Sequence, residues 1–396
     1  MTTPIWLDPA PPPRPALVGD HRCDVLVIGA GLCGSSAALA LARLGLDVIL
    51  VEADRVSGQA SGRNAGFILQ GTAERYDRAV GLMGAERARR IHAFSLQNHD
   101  EIAAFVQDSG LRCGYRRGGS LQLAGTPREE DELVTSAALL NEHGFEATLC
   151  QGQDLPAVYR DAGFRVGVIL PRDGEVQPAR LVQGIAEAAV AHGGRLFEGT
   201  PVTALDASVP GDVRATTPGG SMRADLALVC VNARAGQLLP FFADKVDPVR
   251  GQMLATAPAP RIFDRPVYAD HGFDYWRQDE TGRVVLGGWR NLDPGAEVGL
   301  EDVLHDGIQD RMAAFLQRFA ALRDVPVTHR WSGTMGFSRD GLPLVGAVPG
   351  TPGALAAVGF TGHGFGFAFL AGQALAQVAT EGTHPLATEL SPRRLA

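Results

Sequence analysis

The chain has 396 residues, too many for one ordinary core and enough for two domains, or one large domain with an insertion. Hydrophobic residues make up 45% and charged residues 20%, with 49 glycines, a composition that excludes extensive disorder and suits an α/β protein rich in tight turns. The formal charge of -8 excludes the basic face that a nucleic-acid binder needs and leaves small molecules as the expected partners.

Residues 1–20, which begin M-T-T-P-I-W-L-D-P-A-P-P-P-R-P, predict an extended leader stiffened by proline. They lack the basic start and apolar stretch of a signal peptide, and no apolar run of about 18 residues follows, so a cytoplasmic location without a membrane span is expected. The β-branched run at 24–28, the glycines after it and the Ala/Leu-rich stretch to Leu44 read as buried strand, tight turn and helix. Gly45 ends that helix, and D-V-I-L-V-E at 47–52 reads as a second buried strand. Helices are predicted over 85–110, 128–143 and 181–192, with strands at 119–124, 195–197, 201–206 and 225–231. Short strands at 267–270, 272–277 and 283–289 follow, the last two joined by a turn at Thr281-Gly282, and then a long helix over 300–322. The tail from Trp331 is Gly-rich and then helical near 366–380. The fold class is therefore α/β, a Rossmann-like cofactor domain (21–85, 165–240 and 331–396) with a discontinuous substrate domain on an antiparallel sheet (86–164 and 241–330). The five cysteines show no C-x-x-C pair and no metal-like spacing with histidine, so neither a disulfide framework nor a metal site is expected.

Gly29, Gly31 and Gly34 fill G-x-G-x-x-G between strand and helix: the first makes the tight turn, the second lets backbone approach a pyrophosphate, the third packs helix on strand. The helix start at Leu32 and Cys33 offers free N–H groups to phosphate, with Cys33 otherwise a small packing residue. Glu52, with Ala53 beside it, closes the second strand where a carboxylate can accept from the ribose hydroxyls. Both NAD and FAD use this motif. Two further segments favour FAD: A-S-G-R-N-A-G-F at 60–67, whose Gly62 and Gly66 let backbone pass close to the cofactor, and G-F-T-G-H-G-F-G-F-A at 359–368, which leads into a helix whose N-terminus suits a reduced flavin.

At these residues the chain resembles the D-amino-acid-oxidase superfamily of FAD-dependent oxidoreductases, nearest in motif to its gamma-glutamylputrescine oxidase-like branch. The resemblance runs through D-G-E-V-Q-P at 173–178, V-N-A at 231–233, P-V-R-G-Q at 248–252, L-G-G-W-R at 286–290, W-S-G at 331–333, D-G-L-P-L-V-G at 340–346 and G-H-G-F-G at 362–366. It implies a glutathione-reductase-like fold and a flavin bordered by Ser61, Gly62, Arg63, Asn64, Ala65, Gly66, Gly333, Gly362, His363, Gly364, Phe365 and Gly366, with the Val202 backbone at the adenine end. Some relatives attach FAD through a late cysteine or through a histidine after the ribose acid. No cysteine here lies beyond Cys230 and Ser61-Gly62-Arg63-Asn64 holds no histidine, so non-covalent FAD is implied.

The activity implied is oxidation of a carbon–nitrogen bond in a small amine or amino acid, which needs anchors more than acid–base groups. Candidates are Arg250 and Arg290 as carboxylate clamps or surface ion pairs, His363 against flavin or substrate or merely capping its turn, and His271, Tyr275 and Trp276 as an aromatic wall or sheet packing. Only one of Tyr275 and Trp276 can face the pocket. Asp270 and Asp274 near the pocket would instead favour a diamine. Relatives of sarcosine-oxidase type carry an oxygen-activating lysine where this strand reads Val284, Val285, Leu286, Gly287, so oxygen or another carrier remains open as electron acceptor. The rivals are an NAD enzyme and a flavin-binding protein without catalysis.

Overall fold

The computed structural model describes residues 2–396. Strand β1 (His21–Ile28) runs into helix α1 (Leu32–Arg43) and strand β2 (Val48–Val51), the expected βαβ unit. β1 lies parallel between β2 and Gly220–Val229, with Ile28 opposite both Val51 and Val229. Its side chains alternate: Val25 and Val27 enter the core shared with α1 and Ala368–Glu381, while Leu26 and Ile28 enter the core on the other face. Arg195–Phe197 extends this sheet beyond β2, and Ala354–Val358 and Leu344–Ala347 extend it beyond Gly220–Val229. α1 and the helix Ala368–Glu381 pack so closely that a Cβ on Gly372 would lie 2.3 Å from the Cys33 carbonyl oxygen.

The second eight-stranded sheet runs Val327–Ser338, Val246–Pro258, Arg283–Gly288, Asp274–Gln278, Val267–Ala269, Ser120–Ala124, Val166–Leu170, Thr148–Gln151. All neighbours are antiparallel except Val267–Ala269 with Ser120–Ala124. The hairpin around Thr281-Gly282 forms as expected, Asp274 opposite Gly288.

Four expectations change. Val166–Leu170 and Val327–Ser338 pair into the second sheet, which moves the expected boundaries at 165 and 331. The helix expected over 300–322 is only Asp306–Leu316, capped by the His305 side chain and followed by a separate turn at Ala320–Leu322. The strand expected at 201–206 shrinks to Ala204–Asp206. The leader is no free extension: Ile5, Trp6 and Leu7 are buried against Ala65, Phe67, Met253 and Trp331.

Candidate active site

A cleft of about 1350 Å³ runs from the start of α1 to the second sheet. At its α1 end, Gly34 packs against the β1 turn, where a Cβ would sit 1.9 Å from the Gly29 carbonyl oxygen. The Leu32 N–H donates to Ser61 Oγ at 3.0 Å, whereas those of Gly31 and Cys33 have no acceptor among the described residues. Glu52 holds the turn by accepting from the N–H groups of Ala30 (2.8 Å) and Asp54 (3.0 Å), and burial raises its pKa. Each carboxylate oxygen keeps a lone pair for a ribose hydroxyl. The Val202 backbone has no hydrogen-bond partner among the described residues and stands two residues beyond Thr200, whose N–H donates to the Glu52 carbonyl at 2.8 Å. Unsatisfied donors at a helix start, a glycine approach and a carboxylate fit a dinucleotide. Cys33 and Cys230 both line this end, and the Cys33 thiol is held well above its ordinary range, first by contact with Cys230 and then by burial.

Midway, the turn after Ala60–Arg63 is held at every carbonyl from Arg63 to Gly66. Trp331 Nε1 donates to Arg63 (2.9 Å), Trp6 Nε1 to Asn64 (2.6 Å), Arg277 Nε to Ala65 (2.6 Å) and the Val176 N–H to Gly66 (2.8 Å). The Ala65 N–H, in contrast, has no acceptor among the described residues, and Ala65 lines the cleft. Because C=O and N–H of a trans peptide point oppositely, the carbonyl held by Trp6 turns this donor into the cleft. Gly333 opposite leaves room: a Cβ there would meet Arg63 Cβ at 2.9 Å.

The far end holds Tyr268, Tyr275, Arg290 and His363. Tyr275 stacks on Tyr268 with centroids 5.6 Å apart and donates to Met253 Sδ at 3.4 Å; burial pushes its pKa up to about 12. His363 is pulled down to about 4 by burial, so its ring is neutral at pH 7. Arg290 lies between two rings, its guanidinium carbon 4.5 Å from the Phe273 centroid and 5.2 Å from that of Phe337, with no acidic partner among the described residues. A partly exposed, unpaired guanidinium on a cleft wall is an anion site. His271 stands at the rim, its Nε2 2.9 Å from Glu132. A second cavity, past Gln70, Tyr76, His92 and Glu129, joins the cleft at Leu69, Tyr268 and His363.

Two candidate anchors and two acids lie outside the cleft lining. Arg250 is buried outside the cleft lining, its Nε 3.6 Å from Glu297 and its Nη1 3.5 Å from Glu301, so it is already neutralised. Trp276 is fully buried on the opposite face, against Phe315 and Phe319. The helix expected near 366–380 is Ala368–Glu381, entered through a tight turn at Gly364–Gly366, and the N–H of Leu370 in its first turn is taken by Asn98 Oδ1. Neither Asp270 nor Asp274 lines the cleft. Sequence reasoning missed Trp6, Tyr268, Arg277 and Trp331. Ile5-Trp6-Leu7, three apolar residues among prolines, was the available signal for the first.

Comparison with known proteins gives a consistent picture. A family model described as DAO, FAD dependent oxidoreductase, matches residues 24–378. The probable oxidoreductase OrdL of Rhizobium meliloti (strain 1021) is 27% identical, over 94% of this chain and 87% of that one. The gamma-glutamylputrescine oxidoreductase of Escherichia coli (strain K12) is 27% identical, over 90% and 83%. Among solved structures, glycine oxidase from Geobacillus kaustophilus superposes with a TM-score of 0.80 at 21% identity, covering 94% of this chain and 99% of that one.

Proposed function

The chain belongs to the DAO family of FAD-dependent oxidoreductases, and from that premise we propose that it oxidises the carbon–nitrogen bond of a small amine bearing a carboxylate, an amino acid or an N-substituted relative. The observation that carries this reading is Arg290, a guanidinium in the cleft without an acid of its own, while neither Asp270 nor Asp274 lines the cleft. Bound FAD supplies the two-electron acceptor for the substrate C–H.

The first sheet and its α1 end would hold the dinucleotide, with Glu52 at the ribose and the N–H groups of Gly31 and Cys33 at the pyrophosphate. The Ala65 N–H would face the flavin. Arg290 would fix the substrate carboxylate, and the stacked Tyr268 and Tyr275 would close one side and exclude water. Neutral His363 adds no positive charge that would repel a substrate ammonium group. The adjoining cavity offers room for a side chain. Product imine hydrolyses in water once released. The one lysine, Lys245, is paired with Asp244 and does not line the cleft, so the absent oxygen-activating lysine has no replacement there. Oxygen, giving peroxide, and a quinone or protein carrier are separated by whether the reduced protein regains its colour promptly in air.

The purified protein should be yellow, and acid precipitation should leave the colour in the supernatant, because no cysteine lies beyond Cys230 and Ser61-Gly62-Arg63-Asn64 holds no histidine. A colourless protein that takes up no FAD would overturn this reading.

A further inference from the structure

The N-terminal leader is tied to the middle of the cleft at several points. Arg63 Nη2 donates to the Thr2 carbonyl (2.9 Å), Trp6 Nε1 to the Asn64 carbonyl (2.6 Å), and Gln177 Nε2 to the Trp6 carbonyl (3.1 Å). The Arg277 guanidinium carbon lies 5.0 Å from the centre of the Trp6 ring while its Nε holds the Ala65 carbonyl. Trp6 therefore fixes one of the two peptides flanking Ala65 and touches the Arg277 side chain that fixes the other.

We propose that the leader is part of the cofactor site and that Trp6 is a positioning residue for the flavin: it orients the Asn64–Ala65 peptide so that the Ala65 N–H is presented to the ring. This rests on the cleft being the flavin site. A donor fixed in place stabilises the more negative reduced flavin over the oxidised form, because no reorganisation is needed when the charge appears. If the indole N–H were lost, the peptide could rotate toward water and the donor would no longer be held. The leader's far end has a separate anchorage, where Arg14 donates to Glu187 and its N–H to Glu198, none of which lines the cleft.

The test uses the full chain with three variants. Trp6→Phe keeps an aromatic ring, smaller than the indole, and deletes the donor, Trp6→Ala removes both, and Arg14→Ala loosens the leader elsewhere. FAD dissociation constants and flavin midpoint potentials are measured for each. Trp6→Phe should weaken FAD binding about fivefold, the worth of one hydrogen bond, and shift the potential negative. Trp6→Ala should do both more strongly, and Arg14→Ala neither. Trp6→Phe that matches the parent in both affinity and potential overturns the proposal. Should the Trp6 variants fail to fold, the unaltered chain with ¹⁵N-labelled tryptophan serves. FAD added to apoprotein should shift the Trp6 indole N–H and slow its exchange; an unchanged signal while FAD binds also overturns it. Failure of the unaltered protein to bind FAD is a different result and sinks the flavin site itself.

Discussion

Arg290 and Arg250 have the same side chain and opposite circumstances. Arg250 lies inside P-V-R-G-Q on one strand and Arg290 just past the end of its neighbour, and the motifs that hold them do not say which is free. Glu297 and Glu301, on a loop far along the chain, decide it by neutralising Arg250. Arg290→Leu should keep its flavin and lower kcat/KM for a carboxylate substrate roughly a hundredfold, the worth of about 3 kcal/mol for one lost charge-assisted pair, measured by steady-state kinetics. An unchanged kcat/KM would place the clamp elsewhere. Asp173 offers a pH signature. It is fully buried, accepts from Ser120 Oγ (2.6 Å) and the Gln70 N–H (2.8 Å), and burial raises its pKa to about 7. A carboxyl with a raised folded pKa binds its proton more tightly in the native state, so its contribution to stability is full at low pH and is lost as pH rises toward 7. Asp173→Asn mimics the protonated form. Its stability relative to the parent should climb between about pH 4 and pH 7 and then level off, as denaturant melts across that range will show.

At the scale of elements, close backbone approach sets the tolerances. Gly372 sits where α1 meets the helix Ala368–Glu381, and Gly382 caps that helix at φ 84 with nothing within 4 Å of a would-be Cβ. Gly372→Ala must push two helices apart and should cost roughly 3 kcal/mol or more, whereas Gly382→Ala meets only the left-handed backbone penalty of about 1 kcal/mol. Urea unfolding of the pair compares them directly; equal losses would mean the helices can part freely. The same principle explains what could be read in advance. The first βαβ unit was legible because its apolar runs are uninterrupted and its glycines stand at a strand end. Val246–Pro258 and Val327–Ser338 were not, because Pro248, Gly251, Gly333 and Gly336 break their alternation. Those interruptions belong to the site: Gly251 pairs with Gly333 and both line the cleft. Strand alternation likewise foretold that one of Tyr275 and Trp276 would face the pocket, but which one depends on the core formed by Phe263, Phe315 and Phe319.

For the whole molecule, a parallel sheet carries the dinucleotide motif, an antiparallel sheet carries the tyrosines and Arg290, and the chain passes between them several times. The family and its cofactor were legible because motifs local in sequence hold them. At the substrate end Arg290 and His363 stood among the candidates and Tyr268 did not, since the three meet only through tertiary packing. Among the described residues no helix is long and apolar enough to cross a membrane. The most direct measurement is anaerobic mixing of the FAD-loaded protein with matched pairs, an amino acid and the amine left by its decarboxylation, followed by visible absorbance. Bleaching by one or more amino acids at concentrations about a hundredfold below those of their amine partners is expected. Equal bleaching by both members of every responsive pair, or bleaching by amines alone, would contradict the carboxylate clamp and return the substrate to the simple amines.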